Sequence, residues 1–390
     1  MVIPKLALRN LLGAGLRTWL NVFVLSLSYV AIIYMQGIYK GMSDQIEQAT
    51  IDAFYGGGQY WHQAFDPYDP LTLDDSHGTI PEGLKEQIAH KQATPILIRQ
   101  GTIYPNGRFR SVLLKGIEPD QSILILPTQV LSTDQQITPA LIGKRMAQST
   151  GLKKGDYLTV QWRDVNGTFD AADIQIVDIM QTTVQEIDNG QIWIPIRRLQ
   201  QMTGLPGEAT MIVQAKEITT GRRYTDWSFK DLNYLLKDLR EMVEMKTMGA
   251  SVMYIVLLSL AMLAIFDTQI LSIFRRRKEM GTLMALGMTR LKIIQLFTVE
   301  GAMHGILAAL TATVYGLPLV LYTASHGWAL PESTDNYGFA IGEKIFPVYS
   351  AGLVMGTVLL VLLITTIVSF LPTRRIVRLK PSDALRGKLS

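Results

Sequence analysis

Three histidines, His62, His77 and His90, share one stretch of chain with Asp66, Asp69, Asp74 and Asp75. Imidazole with carboxylate is a transition-metal donor set. The spacing is irregular and matches no H-E-x-x-H motif, so solvated loop residues are the expectation there. Gly56-Gly57-Gly58 has the composition of a phosphate cradle. No helix signal follows it, and the expectation is a flexible link. Glu300 and His304 are four residues apart and share a helix face. Such a pair can move a proton or hold a metal, or its carboxylate can simply be neutralised by a nearby cation. Asp267 closes a run of 20 uncharged residues and is expected at an interface where water reaches it. No segment has the G-x-x-x-x-G-K-[ST] pattern of a nucleotide loop; Arg386-Gly387-Lys388-Leu389 is unlike it. There is no serine-hydrolase elbow. With no cysteine, disulfides, thiolate metal sites and cysteine nucleophiles are excluded together.

The elements that must carry these residues are mostly apolar. Residues AVILMFWYC make up 48% of the 390, against 18% charged, which excludes disorder. Four blocks hold the excess: Trp19–Ile38, Thr247–Phe266, Gly301–Gly327 and Ile345–Thr373, none with a formal Lys, Arg, Asp or Glu charge in its first 20 residues. About 20 apolar residues at about 1.5 Å rise span a hydrocarbon core of about 30 Å, so each block reads as a transmembrane helix. The first follows Lys5, Arg9 and Arg17 and could be a signal peptide. It is longer than an ordinary h-region and no small-x-small site follows, so an uncleaved anchor is expected.

Basic residues then orient the chain. Residues 1–18 hold three Lys+Arg, 275–296 six and 374–390 six, whereas 328–344 holds only Lys344. By the positive-inside rule both termini and the 275–296 loop are cytoplasmic, and residues 41–246 are extracytoplasmic. The net charge of +4 is thus a sum over two sides of a membrane, and nucleic acid is not an expected partner. The expected plan is an interfacial helix at 1–18, spans at 19–40, 247–274, 297–327 and 345–373, a short outer loop at 328–344 and a cytoplasmic tail at 374–390.

The 41–246 segment carries 20 Lys+Arg against 26 Asp+Glu and reads as a folded domain of mixed α/β class. Ile96–Tyr104 and Arg108–Ile117 flank Asn106-Gly107, and Tyr157–Arg163 and Ala171–Met180 flank Asn166-Gly167: two hairpin signals. Pro139–Thr150 looks helical with Gly151 as its C-cap, Gln191–Ile196 and Ala209–Ala215 are short strands, and Arg197–Met202 is a helical turn before Gly204. Leu232, Leu235, Leu236, Leu239, Met242 and Val243 recur at helical spacing. They predict a stalk helix over about 230–248 that runs into the second span.

The 275–296 loop is the most informative stretch. Arg275-Arg276-Arg277-Lys278 alone could be an anchor for lipid headgroups. The segment after it, with Met280, Leu283, Met284 and Leu286 on one face and Gly287 as a stop, predicts a short amphipathic helix offered to lipid or to a protein groove. In full, RRRKEMGTLMALGMTRLKIIQLFTVEG resembles the region between the second and third helices of four-span ABC transporter permeases. These include the lipoprotein-releasing, macrolide-efflux and cell-division permeases. The matching positions are Glu279, Gly281, Leu283, Ala285, Leu286, Gly287 and, early in the third helix, Glu300. Leu6–Leu11 and Pro381–Arg386 resemble the family's flanks, and Leu113–Pro119 and Ile142–Asp156 contain phrases of its outer domain, so the likeness covers nearly the whole chain.

The resemblance implies a non-catalytic permease that pairs with an identical or homologous permease and with two ATPase subunits, which bind ATP and Mg. This chain would bind no cofactor or metal of its own. The short loop helix, through Glu279, Gly281, Leu283, Ala285, Leu286 and Gly287, would dock on the ATPase, and ATP-driven closure would move the outer domains through the stalks. Glu300 and Asp267 are candidates for a structural or gating role, Glu300 by pairing with a basic residue of the loop. The size of the outer domain argues against the cell-division type. The resemblance favours lipoprotein or other amphiphilic cargo at the outer face of a bacterial inner membrane. Macrolide or peptide efflux with a periplasmic adaptor or carrier, and a non-transporting signal relay, are its alternatives.

Overall fold

The computed structural model describes residue 7 and residues 15–132, 137–181, 185–218, 221–329 and 344–376. The expectations for most of 1–18, for most of the 328–344 loop and for Pro381–Arg386 lie outside the described residues. The chain divides into a helical unit, built from its ends and the 243–329 region, and a sheet unit over 43–242.

Four helices are long and apolar enough to cross a membrane. They are α1 (Leu16–Thr50), then, beyond the sheet unit's own short helices, Lys237–Arg275, Arg290–His326 and Ala351–Ile376. The first three run about 55 Å at about 1.5 Å per residue, well beyond a hydrocarbon core of about 30 Å. All four supply the helical core: Val22, Leu25 and Tyr29 from the first, Ala261, Met262 and Ile265 from the second, Ala308 and Ala312 from the third, and Val361 from the fourth. Lipid offers no hydrophobic drive for such packing, so small residues and polar contacts set it. A β-carbon on Gly316 would lie 2.7 Å from Val30, and one on Gly37 would clash with the edge of the Tyr349 ring. The Val348 N–H donates to the Gly37 carbonyl at 3.0 Å. Asn21 Nδ2 donates to Thr268 Oγ1 at 2.5 Å, and Ser26 Oγ lies 3.1 Å from the Tyr315 hydroxyl.

The sheet unit opens where α1 passes into a π-helical turn, Ile51–Tyr55. Gly56-Gly57-Gly58 follows, and it is a tight junction, not the flexible link expected. The Gly57 N–H donates to Gln214 O at 2.8 Å and the Gln214 N–H to Gly58 O at 2.9 Å. Any β-carbon on Gly57 would meet Ala215 O at 2.2 Å.

The strands are β1 (Gln59–His62), β2 (Gly78–Thr79), β3 (Ala93–Ile103), β4 (Arg110–Ile117), β5 (Thr138–Gly143), β6 (Tyr157–Arg163), β7 (Phe169–Met180), β8 (Gln191–Pro195), β9 (Glu208–Ala209), β10 (Met211–Gln214) and β11 (Trp227–Lys230). Nine of them form one sheet in the order β11-β1-β10-β3-β4-β8-β5-β7-β6, and β2 pairs with β9 alone. β6 returns to pair with β3 at Gly101–Ile103, closing a ring of six strands. Alternation explains the ring's interior: Leu158, Val160 and Trp162 of β6 point into a core with Leu114, Ile142, Ile174, Ile176, Ile192 and Ile194. β8 is parallel to β4 and antiparallel to β5, and as a central strand it is apolar almost throughout. Within the fold the Lys115 ammonium is buried over the rings of Phe54, at 4.5 Å, and Trp193, at 5.1 Å.

Three local expectations are corrected. Pro139–Gly143 belongs to strand β5, and only α3 (Lys144–Thr150, after α2 at Glu82–Ala89) is helical, capped by left-handed Gly151. The run Pro139-Ala140-Leu141-Ile142-Gly143 is too short for periodicity to separate strand from helix, and pairing on both sides decides it. The stalk does not begin at 230: β11 ends at Lys230, Asp231 caps a single turn at Leu232–Leu235, and the long helix starts at Lys237. Of the three histidines only His62 departs from the solvated-loop expectation; His77 lies in a loop and His90 is exposed in the turn after α2. His62 is half-buried in β1 against Trp227, His77 Nδ1 lies 2.5 Å from Glu208 Oε2, and His90 ends α2 with Nδ1 2.7 Å from Glu86 O. Among the described residues no three His, Cys, Asp or Glu side chains converge as metal ligands.

Candidate functional site at the basic helix ends

After α4 (Ile196–Thr203), the long helices continue as α5 (Lys237–Arg275), α6 (Arg277–Ala285), α7 (Arg290–His326) and α8 (Ala351–Ile376). The site is the elbow from α5 through α6 into α7. Arg276 breaks the helix and becomes the N-cap residue of α6. At the other end Gly287 adopts φ +93°, the left-handed region that glycine tolerates. The Met288 N–H donates to Leu283 O and the Gly287 N–H to Met284 O, both at 3.0 Å. This is a Schellman motif, which consumes the last carbonyls of α6 and turns the chain into α7.

One side of α6 is internal. Met280 is buried with Ile273 of α5 and Ile293 and Phe297 of α7, and Met284 and Met288 pack on the same cluster. Gly281 is buried as well. The expectation that Met280, Leu283, Met284 and Leu286 are presented together is therefore corrected: the two methionines serve the chain's own core. What α6 and the elbow offer outward is Leu286, 80% exposed, with Leu291 of α7, 71% exposed. Half-buried Leu283 and exposed Ala285 lie on the same helix, and Lys278, Arg290 and Lys292 of the elbow are exposed as well.

Beneath the patch sits a charge cluster. Arg276 Nη1 donates to Glu300 Oε1 at 3.0 Å and Oε2 at 2.9 Å, and its Nε donates to Glu279 Oε2 at 2.7 Å. Its guanidinium carbon lies 5.0 Å from the Phe297 ring centroid. Burial alone would depress the guanidinium's proton affinity, but its hydrogen bond to the Glu279 carboxylate and the charge of Glu300 outweigh it and push it above the ordinary arginine value. Glu300 is buried and Glu279 exposed. His304, one turn further, is buried with Nδ1 3.1 Å from Glu300 O, so its ring is held by the helix backbone. Asp267 lies exposed on α5, about two turns before Arg275, and among the described residues it joins no ion pair.

The site residues thus fall into three groups. Leu283, Ala285, Leu286 and Gly287 are exposed or half-buried on the elbow; Glu279 and Glu300 converge on Arg276; Gly281 and Asp267 belong to neither. Sequence reasoning missed Arg276 as the shared partner and Leu291 as part of the patch. The one signal for Arg276 was its place among four successive cations facing a lone glutamate in the next helix.

Four long apolar helices, a large sheet domain inserted after the first, and a capped elbow between the second and third are consistent with a membrane permease. Residues 251–381, a third of the chain, match the FtsX-like permease C-terminal family, and that match together with the relatives below supports an ABC-transporter permease of the lipoprotein-releasing and FtsX-like superfamily. It is similar to the lipoprotein-releasing system transmembrane protein LolC of Neisseria meningitidis serogroup B, at 21% identity over 75% of this chain and 77% of that one. It is also similar to the protein of the same name from Xylella fastidiosa, strain 9a5c, at 23% identity over 72% and 74% of the two chains. With its four apolar helices it is a membrane protein.

Proposed function

We propose that this chain is the non-catalytic membrane subunit of a lipoprotein-handling ABC transporter, driven by a separate cytoplasmic ATPase that carries the ATP and Mg. The observation that carries the reading is the elbow patch: Leu286 and Leu291 stand exposed on either side of a capped turn that also exposes Lys278, Arg290 and Lys292. Exposed apolar anchors with a polar rim are the anatomy of a protein-docking surface. The distribution of Lys and Arg favours both termini and this elbow in the cytoplasm, with the sheet unit on the opposite side. ATP-driven movement of the docked ATPase would then act on α5 and α7 and through them on the sheet unit. The names of the relatives favour lipoprotein as cargo, and a second permease, identical or homologous, completes the assembly.

The test is purification of the full chain with its ATPase in mild detergent. Leu286→Asp places a charge in the patch and should abolish co-purification while leaving the monomer folded, and full retention of the ATPase would refute the docking assignment. Photocrosslinking from the sheet unit should capture acylated protein; an adaptor or hydrolase in its place would redirect the reading to efflux or to signal relay.

A further inference from the structure

We propose that Arg276 is the joint that makes α6 and α7 move as one part, holding α6 to the third span through the buried carboxylate of Glu300. The inference deepens the proposed function, because it names the residue that passes displacement of the docking elbow into the membrane. Its basis is geometric. Arg276 is the last residue of neither helix: α5 ends before it and α6 begins after it. Its guanidinium uses separate groups for separate elements, Nε toward Glu279 on α6 and Nη1 toward both oxygens of Glu300 on α7. Its face rests on Phe297, one helical turn before Glu300. The three partners fix the plane, the direction and the depth of the group at once.

Pulling α6 away from α7 would break both hydrogen bonds from Arg276 to the buried Glu300, and breaking a buried ion pair is strongly destabilising. Displacement of α6 is therefore carried into α7 and not absorbed at the elbow. Behind the carboxylate, α7 has no slack either. Gly301 brings it against Ser369 of α8, with Gln269 Nε2 of α5 3.1 Å from the same point. Movement delivered at Glu300 consequently reaches three spans. Lysine cannot substitute: an ammonium is a point charge with no plane to stack on Phe297 and no fork to serve two carboxylates in fixed directions.

The chain contains no cysteine, so spin labels at Thr282→Cys on α6 and Leu310→Cys on α7 report their separation in the full chain without background. The parent should give one narrow distance distribution. Arg276→Lys and Glu300→Gln should each broaden it. In the complex with ATPase, both should keep the ATPase bound yet slow ATP-driven release of cargo about tenfold or more. Glu300→Gln preserves volume and carries the test if Arg276→Lys folds poorly. A narrow distribution in both variants overturns the joint, as does full ATP-driven release. If the parent chain binds no ATPase, the functional reading falls and the distance measurement alone decides the joint.

Discussion

Ser369 Oγ lies 2.0 Å from the position that a β-carbon on Gly301 would occupy, and Ser369 Cβ lies 2.3 Å from it. Because the Cβ is fixed by its backbone, a rotamer change cannot clear the space, so the helix pair depends on the missing side chain. Gly301→Ala should force α7 and α8 apart and lower stability by about 1–3 kcal/mol. Thermal unfolding in detergent measures it, and Ser369→Gly in the same chain should recover most of the loss. A Gly301→Ala protein melting like the parent would mean that the helices are not in this contact.

Gly57 provides a contrast with Gly107. At Gly57 an added methyl meets the Ala215 carbonyl at 2.2 Å, whereas at Gly107 it meets nothing within 4 Å. Gly57→Ala should cost several times more stability than Gly107→Ala, whose loss is confined to the left-handed backbone, about 1 kcal/mol. Equal losses in denaturant titrations would restore the flexible-link reading of Gly56–Gly58.

Much of the architecture was legible because its signals are local. Charge-free runs set the spans, and Asn106-Gly107 marked a hairpin from two residues. The six-stranded ring was not legible, since the contact of Gly101–Ile103 with Val160–Trp162 joins segments that no local pattern connects. The elbow shows the same limit at the scale of one helix. Met280, Leu283, Met284 and Leu286 make an amphipathic pattern whether the apolar face meets its own protein or a partner. Only packing divides them, sending Met280 inward and Leu286 outward. A glutamate partner in the loop could be expected, but four adjacent cations offered it equally until Arg276 took the break between helices.

Arg99 should be among the most sensitive residues of the sheet unit. It is 2% exposed and donates from Nη1 to the carbonyls of Leu73, at 3.1 Å, and Asp74, at 2.9 Å. Arg99→Leu leaves these carbonyls without that donor and should destabilise the domain by about 1–3 kcal/mol. Limited proteolysis should then cut first between residues 66 and 78. Resistance there equal to the parent's would show that the segment is held by other contacts.

A pH effect should arise at His62. Burial, aided by His77, holds its imidazole below the ordinary value, while Asp226 and Glu208 oppose the shift. With the folded value lowered, the unfolded chain takes up the proton first on acidification. Stability is complete above the ordinary imidazole value of 6.5 and declines as pH falls through the folded one. His62→Phe keeps a ring against Trp227 and should flatten this acid decline in denaturant unfolding followed by tryptophan fluorescence. An unchanged slope would assign the decline to other groups.

In the sheet unit, Gln59 at the start of β1 pairs with Lys230 at the end of β11. Everything between them, the six-stranded ring included, leaves the chain and returns to it within about 5 Å, one strand spacing. A segment with adjoining ends is a cassette. It can be exchanged for another fold whose ends also adjoin without altering the spacing of the helices on either side. On this plan one set of helices can acquire a different inserted domain by recombination at two neighbouring points of the chain.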